Sequence, residues 1–527
     1  MPDYDVLFIG AGHNALVCAA YLAKAGYKVG VLERRSIVGG AVVTEEHVPG
    51  FKFDLGGSTH ILIHHTPIVQ DLELARYGLV YIDLDPLFFA PFPDGQSITI
   101  WRDVDKTCES IAQVSAADAE AYQRFVVKWR KMAQGMVEAF LHPPTLLNFV
   151  RYLALGSGAA KDWQLRLSDI LSSYGQVLEH EFRSPQLKSL IAWMAAQSGP
   201  PPTEPLSAPF ALWHPMYHIS GAKRPRGGSG MLTQALAKAV QAHQGEIFTD
   251  APVTRILVEG GRAVGAETER GDRFTAKAVV SSAHIHTTIR LLPDDVVPPK
   301  VKELINRTRI GNGFGMIVRY AMRELPDYTV CPTDQTGSPG PQHRALQFIC
   351  PSLAYLERAY ADYLAGRPSA EPGLIAMTFS AVDPTLAPPG QHTLFLWGQY
   401  YPYKLASGES WDEIGPRVAD QMLHKLAEYA PNIAHAVVGQ LVETPAYLER
   451  TLGLLQGNVM HLEMSVNQMF MLRPALALSN YRGPLPGLYL TGASTHPGGG
   501  IMGAAGRNAA AVLLHDLSRR KWMFWRR

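Results

Sequence analysis

Asp5-Val6-Leu7-Phe8-Ile9-Gly10-Ala11-Gly12-His13-Asn14-Ala15 is the stretch of sequence that decides the fold. Its first five residues predict a short strand, and the G-x-G-x-x-A pattern predicts a tight turn that opens a helix. Apolar residues continue to Ala25, Gly26 ends the helix, and Tyr27–Leu32 predicts a second strand. Glu33 ends that strand 21 residues beyond Gly12, where an acid can bind a ribose hydroxyl. Together these features predict a βαβ unit that binds a dinucleotide.

Each position of the turn has a physical role in this prediction. Gly10 allows the tight turn, Gly12 lets the backbone approach a pyrophosphate, and Ala15 keeps helix and strand close. The helix N-terminus offers free N–H groups and a partial positive charge to the phosphates. We therefore predict that Gly10, Gly12, His13, Asn14 and Ala15 bind the cofactor, with His13 in a structural role beside the pyrophosphate.

Length and composition limit the possible functions. A chain of 527 residues is too long for one ordinary core, so two or three subdomains are expected. The formal net charge of +1 and the absence of a basic stripe argue against a nucleic-acid partner. The four cysteines show no C-x-x-C pairing, and no H-E-x-x-H or three-ligand cluster is present, so no metal site is predicted.

The relation of the chain to membranes rests on two segments. Asp3 and Asp5 stand where a signal peptide would be basic, and no run of about 18 apolar residues predicts a spanning helix. Leu146–Leu155 is apolar, and the tail 519–527 combines five basic residues with three aromatic ones. Both suit a membrane interface, although a buried lid helix and a solvated end are the alternatives.

Four more glycine-rich segments follow the first turn. Gly39-Gly40 lies just beyond Glu33, and Gly56-Gly57-Ser58 follows a strand. Arg226–Gly230 precedes a helix, and Gly492–Gly503 lies between a strand and a helix of small residues. Between them, Asp105–Phe140 is periodic in the manner of a helix, residues 246–281 predict a strand meander, and 300–470 predicts a second domain of mixed strands and helices.

These segments carry a resemblance to known families. A double glycine shortly after the ribose acid is typical of large flavoproteins that resemble glutathione reductase and the amine oxidases. The opening Gly10–Leu16 and the closing Thr491–Ala504 resemble the FAD-dependent carotenoid desaturase and ketolase (phytoene dehydrogenase-like) superfamily. Blocks at residues 196–202, 212–215 and 457–465 resemble the CrtO-type β-carotene ketolases. One departure is Ala493, because many flavoproteins have an Asp there that holds the ribityl chain.

The resemblance implies an α/β fold. A Rossmann-like FAD-binding domain of the glutathione-reductase/amine-oxidase type would accompany a mixed-sheet substrate domain and a helical lid or membrane-associating insert. Residues 1–78, 226–299 and 471–527 would form the FAD-binding domain. Residues 79–104 and 300–470 would form the substrate domain, and 105–225 the insert.

The resemblance also implies FAD as the cofactor. Arg34 and Arg35 would suit NADP instead, but the further glycine segments would then be unexplained. Two histidines in glycine loops, His60 and His496, are the candidate catalytic acids or bases, with plain hydrogen bonding as the alternative. Besides the first turn, the predicted FAD-binding residues are Glu33, Arg34, Gly39, Gly40, Ala41, Gly57, Ser58, Val253, Gly492, Ala493, Ile501 and Met502.

The activity implied is oxidation of β-carotene at C4 of its rings, through echinenone to canthaxanthin. The enzyme would lie on the cytoplasmic face of a membrane and pass electrons to O2 or a quinone. A flavin suits hydride removal from an allylic carbon, but the residues do not select the ring carbon. A carotenoid desaturase, a cis-trans isomerase and a non-catalytic flavin-bearing carotenoid-binding protein remain alternatives.

Overall fold

A computed structural model describes residues 2–148, 167–311, 315–334 and 337–524, with side chains up to residue 518. Most of the two candidate membrane segments lies outside the described residues: 149–155 in the first, and the side chains of 519–527 in the second. Leu146 and Leu147, which open the first segment, are exposed. Among the described residues, no helix combines the length and the apolar character needed to cross a membrane.

The strands are numbered here in chain order. They are β1 (Tyr4–Ile9), β2 (Val29–Leu32), β3 (Val42–Val48), β4 (Phe51–Gly56), β5 (Tyr81–Leu84), β6 (Phe88–Pro91), β7 (Ser97–Ile100), β8 (Ala222–Pro225), β9 (Glu246–Phe248), β10 (Val253–Glu259), β11 (Arg262–Thr268), β12 (Arg273–Ser281), β13 (Met316–Met322), β14 (Leu346–Ile349), β15 (Gly373–Met377), β16 (His392–Gln399), β17 (Val437–Glu443) and β18 (Leu488–Leu490).

The helices are numbered in the same way. They are α1 (His13–Lys24), α2 (Ile68–Asp71), α3 (Val104–Ala112), α4 (Ala116–Phe140), α5 (Leu167–Leu171), α6 (Tyr174–Glu181), α7 (Pro185–Ala196), α8 (Ala208–Leu212), α9 (Met216–Ser220), α10 (Met231–Ala242), α11 (Ile285–Arg290), α12 (Pro299–Asn306), α13 (Pro341–Arg344), α14 (Leu353–Leu364), α15 (Trp411–Ala427), α16 (Ile433–Ala436), α17 (Pro445–Leu452) and α18 (Ala504–Phe524).

The first sheet is built around β1. Strands run in the order β10-β11-β12-β1-β2-β9, and β18 also pairs with β12. Strand β12 is parallel to β1 and β18 at its carboxyl end and antiparallel to β11 at its start, so the predicted meander joins the parallel sheet through one long strand. The carboxyl ends of β1, β12 and β18 therefore meet at one edge, where open α/β sheets bind ligands.

The second sheet has the order β17-β13-β16-β15-β14-β6-β7. Its strands β6 and β7 come from the early part of the chain, and its other strands come from the region after residue 315. Two short hairpin-like pairs, β3-β4 and β5-β8, complete the strands. Strand β13 is buried at every position, as expected for the interior of a sheet covered on both faces.

The region predicted as one helix over Asp105–Phe140 is two helices, and the prediction was wrong on this point. Ser115 adopts an extended backbone, and its side chain accepts a hydrogen bond from the Asp118 N–H, so it begins α4. Asp103 caps α3 in the same way. Periodicity alone missed the break because the apolar spacing continues on both sides of it.

The two ends of the chain pack together across the first sheet. Helices α1 and α18 cross so closely that a Cβ on Gly506 would lie 2.1 Å from the Asn14 carbonyl oxygen. Small residues on both helices, including Ala15, Ala19 and Ala505, are fully or almost fully buried at this crossing. The sequence of small residues after the last glycine loop thus sets how near the two helices come.

Candidate functional site

The turn between β1 and α1 presents open backbone at the sheet edge. Gly12 is the N-cap of α1 with φ −65° and ψ 160°, and no side chain caps the helix. A Cβ on Gly12 would meet no atom within 4 Å, whereas one on Gly10 would lie 2.7 Å from the Ser282 hydroxyl oxygen. The first glycine is therefore required by packing inside the protein, and the second faces free space.

The double glycine lies directly against this turn. The Gly39 N–H donates to the Ala11 carbonyl at 2.9 Å, and Gly12 and Gly39 form a parallel β-bridge. Gly40 has φ +60°, and a Cβ there would lie 3.2 Å from the Gly12 Cα. The two loops thus form one continuous backbone surface, as the motif spacing suggests.

The second and last glycine loops extend that surface. The Gly57 N–H donates to the Ala41 carbonyl at 2.8 Å, and a Cβ on Gly57 would lie 2.6 Å from Ile501 Cδ1. Met502, beside Ile501, is buried. On the other side, a Cβ on Gly492 would lie 2.9 Å from the Ser282 carbonyl oxygen. Four segments distant in sequence therefore converge on one site.

Glu33 lies buried at the far end of the first turn. Its two carboxylate oxygens accept hydrogen bonds from the N–H groups of Ala11 at 2.8 Å and of Arg35 at 2.9 Å. The Ala251 N–H donates to the Glu33 carbonyl, which brings the start of β10, including Val253, to the same end. The Arg34 guanidinium instead donates to the Thr451 carbonyl at 2.7 Å and so contacts the second domain.

The glycine turn Arg226–Gly230 has a different role from the other loops. A Cβ on Gly228 would lie 2.4 Å from the Thr44 hydroxyl oxygen, and one on Gly230 would lie 2.6 Å from the Thr44 backbone nitrogen. These glycines allow α10 to pack closely on strand β3. The turn supports the site from outside and presents no free backbone surface.

Buried charges hold the loop of Gly56-Gly57-Ser58 from below. Arg224 pairs with Asp54 at 2.6 Å, and Arg319 pairs with Glu443 at 3.0 Å, all four being buried. The two guanidinium groups reach Ser58, one at its carbonyl at 3.3 Å and one at its hydroxyl at 3.4 Å. Because a buried ion pair fixes geometry when both partners are satisfied, this network positions Ser58 relative to the second sheet.

His60 is fully buried, and both of its ring nitrogens have partners. Nδ1 lies 2.9 Å from the Tyr81 hydroxyl, and Nε2 lies 2.9 Å from the Ser229 hydroxyl. Burial, with His64 and Arg224 nearby, holds the pKa of His60 well below its usual value, so the ring is neutral at pH 7. This geometry favours the hydrogen-bonding alternative for His60, because neither nitrogen is available to a substrate.

His496 is also buried, at the carboxyl end of α4. Its Nε2 donates to the Ala139 carbonyl at 3.1 Å, while its Nδ1 is buried without a hydrogen-bond partner among the described residues. Burial lowers the pKa of His496 to about 4. The side chains of Asn508 and Arg507 bind the next two carbonyls of the helix end, those of Phe140 and Leu141. His496 thus helps to satisfy the last turn of α4, and its second nitrogen faces away from that turn.

Sequence reasoning did not single out several residues that complete the site. Ser282 bonds the Ile9 and Gly10 carbonyls, and Ser494 accepts the Ile285 N–H at 3.0 Å and lies 2.9 Å from His461 Nδ1. Their signal was available, because Ser282 follows β12 at the same edge as the glycine turn. Arg473 gave no such signal, since it lies in an irregular segment.

An aromatic cluster packs on the last glycine loop from the side of α4. Phe140 stacks on Trp213 with ring centroids 5.8 Å apart and lies 6.1 Å from the Phe470 ring. Met502, Met216 and Leu62 belong to the same cluster. The wall beside the loop is therefore apolar.

Two further features lie apart from this edge. A cavity of about 800 Å³ opens beside Tyr363, Tyr403 and Trp411 in the second domain, away from the glycine loops. Across the described ranges, no group of three or more His, Cys, Asp or Glu side chains is arranged to hold a metal ion.

The sheet edge, the glycine turn and the ribose acid define a dinucleotide-binding flavoprotein fold. Residues 16–514 match the family model for flavin containing amine oxidoreductases. The chain therefore belongs to the flavin containing amine oxidoreductase family, and it binds FAD.

Relatives and solved structures agree with this assignment. The chain is 34% identical to pyridine nucleotide-disulfide oxidoreductase domain-containing protein 2 of Rattus norvegicus, over 98% of this chain and 94% of the relative. It is 30% identical to a limonene dehydrogenase component from Castellaniella defragrans, over 98% and 96%. It is 26% identical to a lycopene-forming phytoene desaturase of Pseudescherichia vulneris, over 97% and 99%. A putrescine oxidase variant shares the fold with a TM-score of 0.63 at 14% identity, over 98% and 99%.

The residues at the edge fit FAD. The free space at Gly12 leaves room for a pyrophosphate against the α1 N-terminus, and the Glu33 carboxylate lies at the end where a ribose would bind. The buried, unpartnered Nδ1 of His496 is satisfied if a bound group donates to it. The last glycine loop, through Gly492, Ala493 and Ile501, would contact the flavin end.

Proposed function

We propose that this flavoprotein oxidises an isoprenoid hydrocarbon at an allylic carbon. The observation that supports this most is the apolar wall of Phe140, Trp213, Phe470 and Met502 beside the last glycine loop. A hydrocarbon gains free energy when it leaves water for such a wall, at roughly 25 cal/mol per Å² of apolar area. The printed names of two relatives, limonene dehydrogenase and phytoene desaturase, point to the same substrate class.

FAD, when bound, supplies the electron acceptor for hydride removal. The chain's own residues bind and orient. Gly12 and the α1 N-terminus hold the phosphates, Glu33 holds the ribose, and the aromatic wall excludes water from the reacting carbon. His60 and His496 are neutral at pH 7 because their pKa values are low, so they position loops and do not exchange protons with a substrate in this proposal.

Within this class, the specific reaction we propose is 4-ketolation of β-carotene through echinenone to canthaxanthin. The blocks at 196–202, 212–215 and 457–465 support it. Conversion of a ring CH2 to a ketone with water as oxygen source releases four electrons per ring, whereas desaturation releases two. O2 or a quinone is the proposed final acceptor, and the cytoplasmic face of a membrane is the proposed location because the substrate is insoluble in water.

Product analysis tests the proposal at both levels. FAD-loaded protein is mixed with β-carotene, phytoene or limonene in detergent, under air and under nitrogen, with the FAD-free Gly12→Val variant as control. Echinenone and canthaxanthin are expected from β-carotene. Desaturated or isomerised products alone would remove the ketolase assignment and keep the broader one. Absence of flavin bleaching with every hydrocarbon under nitrogen would overturn the broader one and favour a binding protein.

A matched pair of variants tests the aromatic wall. Phe470 contacts Phe140 and His496, whereas Leu472 in the same segment is exposed. Phe470→Ala is expected to raise KM for the hydrocarbon about tenfold, while Leu472→Ala leaves it unchanged. Equal KM values in the two variants would show that the substrate does not use this wall.

A further inference from the structure

Arg473 is a fully buried arginine whose hydrogen bonds all end on backbone carbonyls. Its Nε and Nη2 donate to the Ala493 carbonyl at 3.0 and 2.9 Å. Its Nη1 donates to the Gln468 carbonyl at 3.1 Å and the Glu463 carbonyl at 3.3 Å. Nη2 also reaches the carbonyls of Met460 and Leu462. The guanidinium therefore joins the segment 460–468 to the last glycine loop.

No carboxylate balances this charge within the part of the chain that the structure describes. Arg473 forms no ion pair there, in contrast to the buried Arg224 and Arg319, which pair with Asp54 and Glu443. The Glu463 carboxylate lies 2.9 Å from Arg309. Burial lowers the pKa of Arg473 to about 9, so the guanidinium stays charged at neutral pH.

The neighbours that titrate do not supply a negative charge either. His284 and His461 stack with ring centroids 5.0 Å apart, and both have pKa values far below neutrality because they are buried. They are neutral at pH 7. Arg473 is thus a net positive charge in a medium of low polarity, where Coulomb interactions are several-fold stronger than in water.

Its position links this charge to the cofactor. Ala493 follows Gly492 in the loop that would contact the flavin end, and a Cβ on Gly498 in the same loop would lie 3.3 Å from Arg473 Nε. Many flavoproteins have an Asp at the position of Ala493, which would bring a negative charge to this loop. Here the loop contacts a cation and lacks that acid.

We propose that Arg473 stabilises the negative charge that the isoalloxazine ring gains on reduction, and so raises the reduction potential of the bound FAD. Uptake of two electrons and one proton adds one negative charge to the ring. A buried cation without a counter-ion is costly in the oxidised protein, and that cost falls when the charge appears nearby. Arg473 is a positioning residue in this scheme, acting by its charge and touching neither substrate nor reacting atoms.

The first experiment separates charge from structure. Midpoint potentials of the FAD-loaded protein are measured against reference dyes for the wild type, Arg473→Lys and Arg473→Gln. Lys keeps the charge and loses most of the hydrogen bonds, whereas Gln keeps some hydrogen bonds and loses the charge. In Arg473→Gln the preference for reduced over oxidised FAD should fall at least tenfold, about 30 mV for a two-electron couple, and in Arg473→Lys less than threefold. Equal shifts in the two variants, or none, would overturn the proposal.

A second pair of variants decides the matter if Arg473→Gln does not fold. Ala493→Asp places a carboxylate beside the guanidinium, and Ala493→Asn places a neutral group of the same shape. Ala493→Asp is expected to bind FAD with a preference for the reduced form at least tenfold lower than that of Ala493→Asn. Identical potentials in this pair would refute the electrostatic role of Arg473.

Discussion

Gly12→Val is expected to remove FAD while leaving the fold intact. Gly12 has φ −65° and ψ 160°, which any L-residue adopts, and a Cβ there would meet no protein atom within 4 Å. The added side chain therefore costs the FAD-free protein at most about 1 kcal/mol, roughly the preference for Gly over Val at a helix N-cap. Its methyl groups occupy the space that the pyrophosphate needs.

The magnitude follows from linkage between binding and folding. At a free FAD concentration of 100 times Kd, the wild-type protein gains about 2.7 kcal/mol of stability from the cofactor. A variant that does not bind FAD gains none of it. The difference between variant and wild type should thus be about 3 kcal/mol larger with FAD than without it, and the purified variant should be colourless.

Two glycine variants act as controls in the same denaturant titrations. Gly135→Ala, on α4, also meets no atom within 4 Å and should keep both FAD and stability. Gly39→Ala places a Cβ 2.4 Å from the Val42 carbonyl oxygen at φ +130°, so it should destabilise the protein with or without FAD. A Gly12→Val protein that is as yellow as the wild type would refute the placement of the pyrophosphate.

Three further predictions concern other parts of the molecule. Glu33→Gln should weaken FAD binding about 10- to 150-fold, because a hydrogen bond to a charged acceptor contributes about 1.5–3 kcal/mol; a fluorescence titration measures it, and an unchanged Kd would contradict the role of this acid. Since the pKa of His496 falls from 6.5 unfolded to about 4 folded, its contribution to stability is full above pH 6.5 and is lost as the pH falls towards 4. His496→Gln should therefore flatten the dependence of unfolding free energy on pH between 4.5 and 6 by about 1.4 kcal/mol per pH unit, and an unaltered slope would count against the buried neutral ring. Deleting 519–527 should weaken sedimentation with anionic liposomes by about 1 kcal/mol per basic residue that meets the surface, and equal sedimentation of the truncated protein would exclude the tail as an anchor.

The sequence was most informative where backbone geometry leaves a local pattern. The βαβ unit, the meander and the helix near Asp412 follow from spacing and from glycine positions, and each is present with ends shifted by a few residues. The fold class and FAD are confirmed by the family match and the structural neighbours. The ketolase reaction, the membrane surface and the electron acceptor stay predictions.

The parts that could not be predicted depend on contacts between distant segments. Nothing near Asp54 in the sequence reveals that Arg224 pairs with it, and nothing near Arg473 reveals that Ala493 accepts its hydrogen bonds. The histidines were prominent in sequence because they lie in glycine loops. Only the tertiary structure shows that Tyr81 and Ser229 occupy both nitrogens of His60.

The crossing of α1 and α18 also sets when the cofactor site exists during synthesis. Gly12 leaves the ribosome early, but Gly503 and the small residues that pack on α1 emerge 491 positions later. At about 5–20 residues per second, roughly 25–100 s separate the two events. Until then the phosphate-binding turn has no last loop to close the site. Tight retention of FAD therefore reports that a chain has been completed, and chains that terminate early are left without this stabilisation.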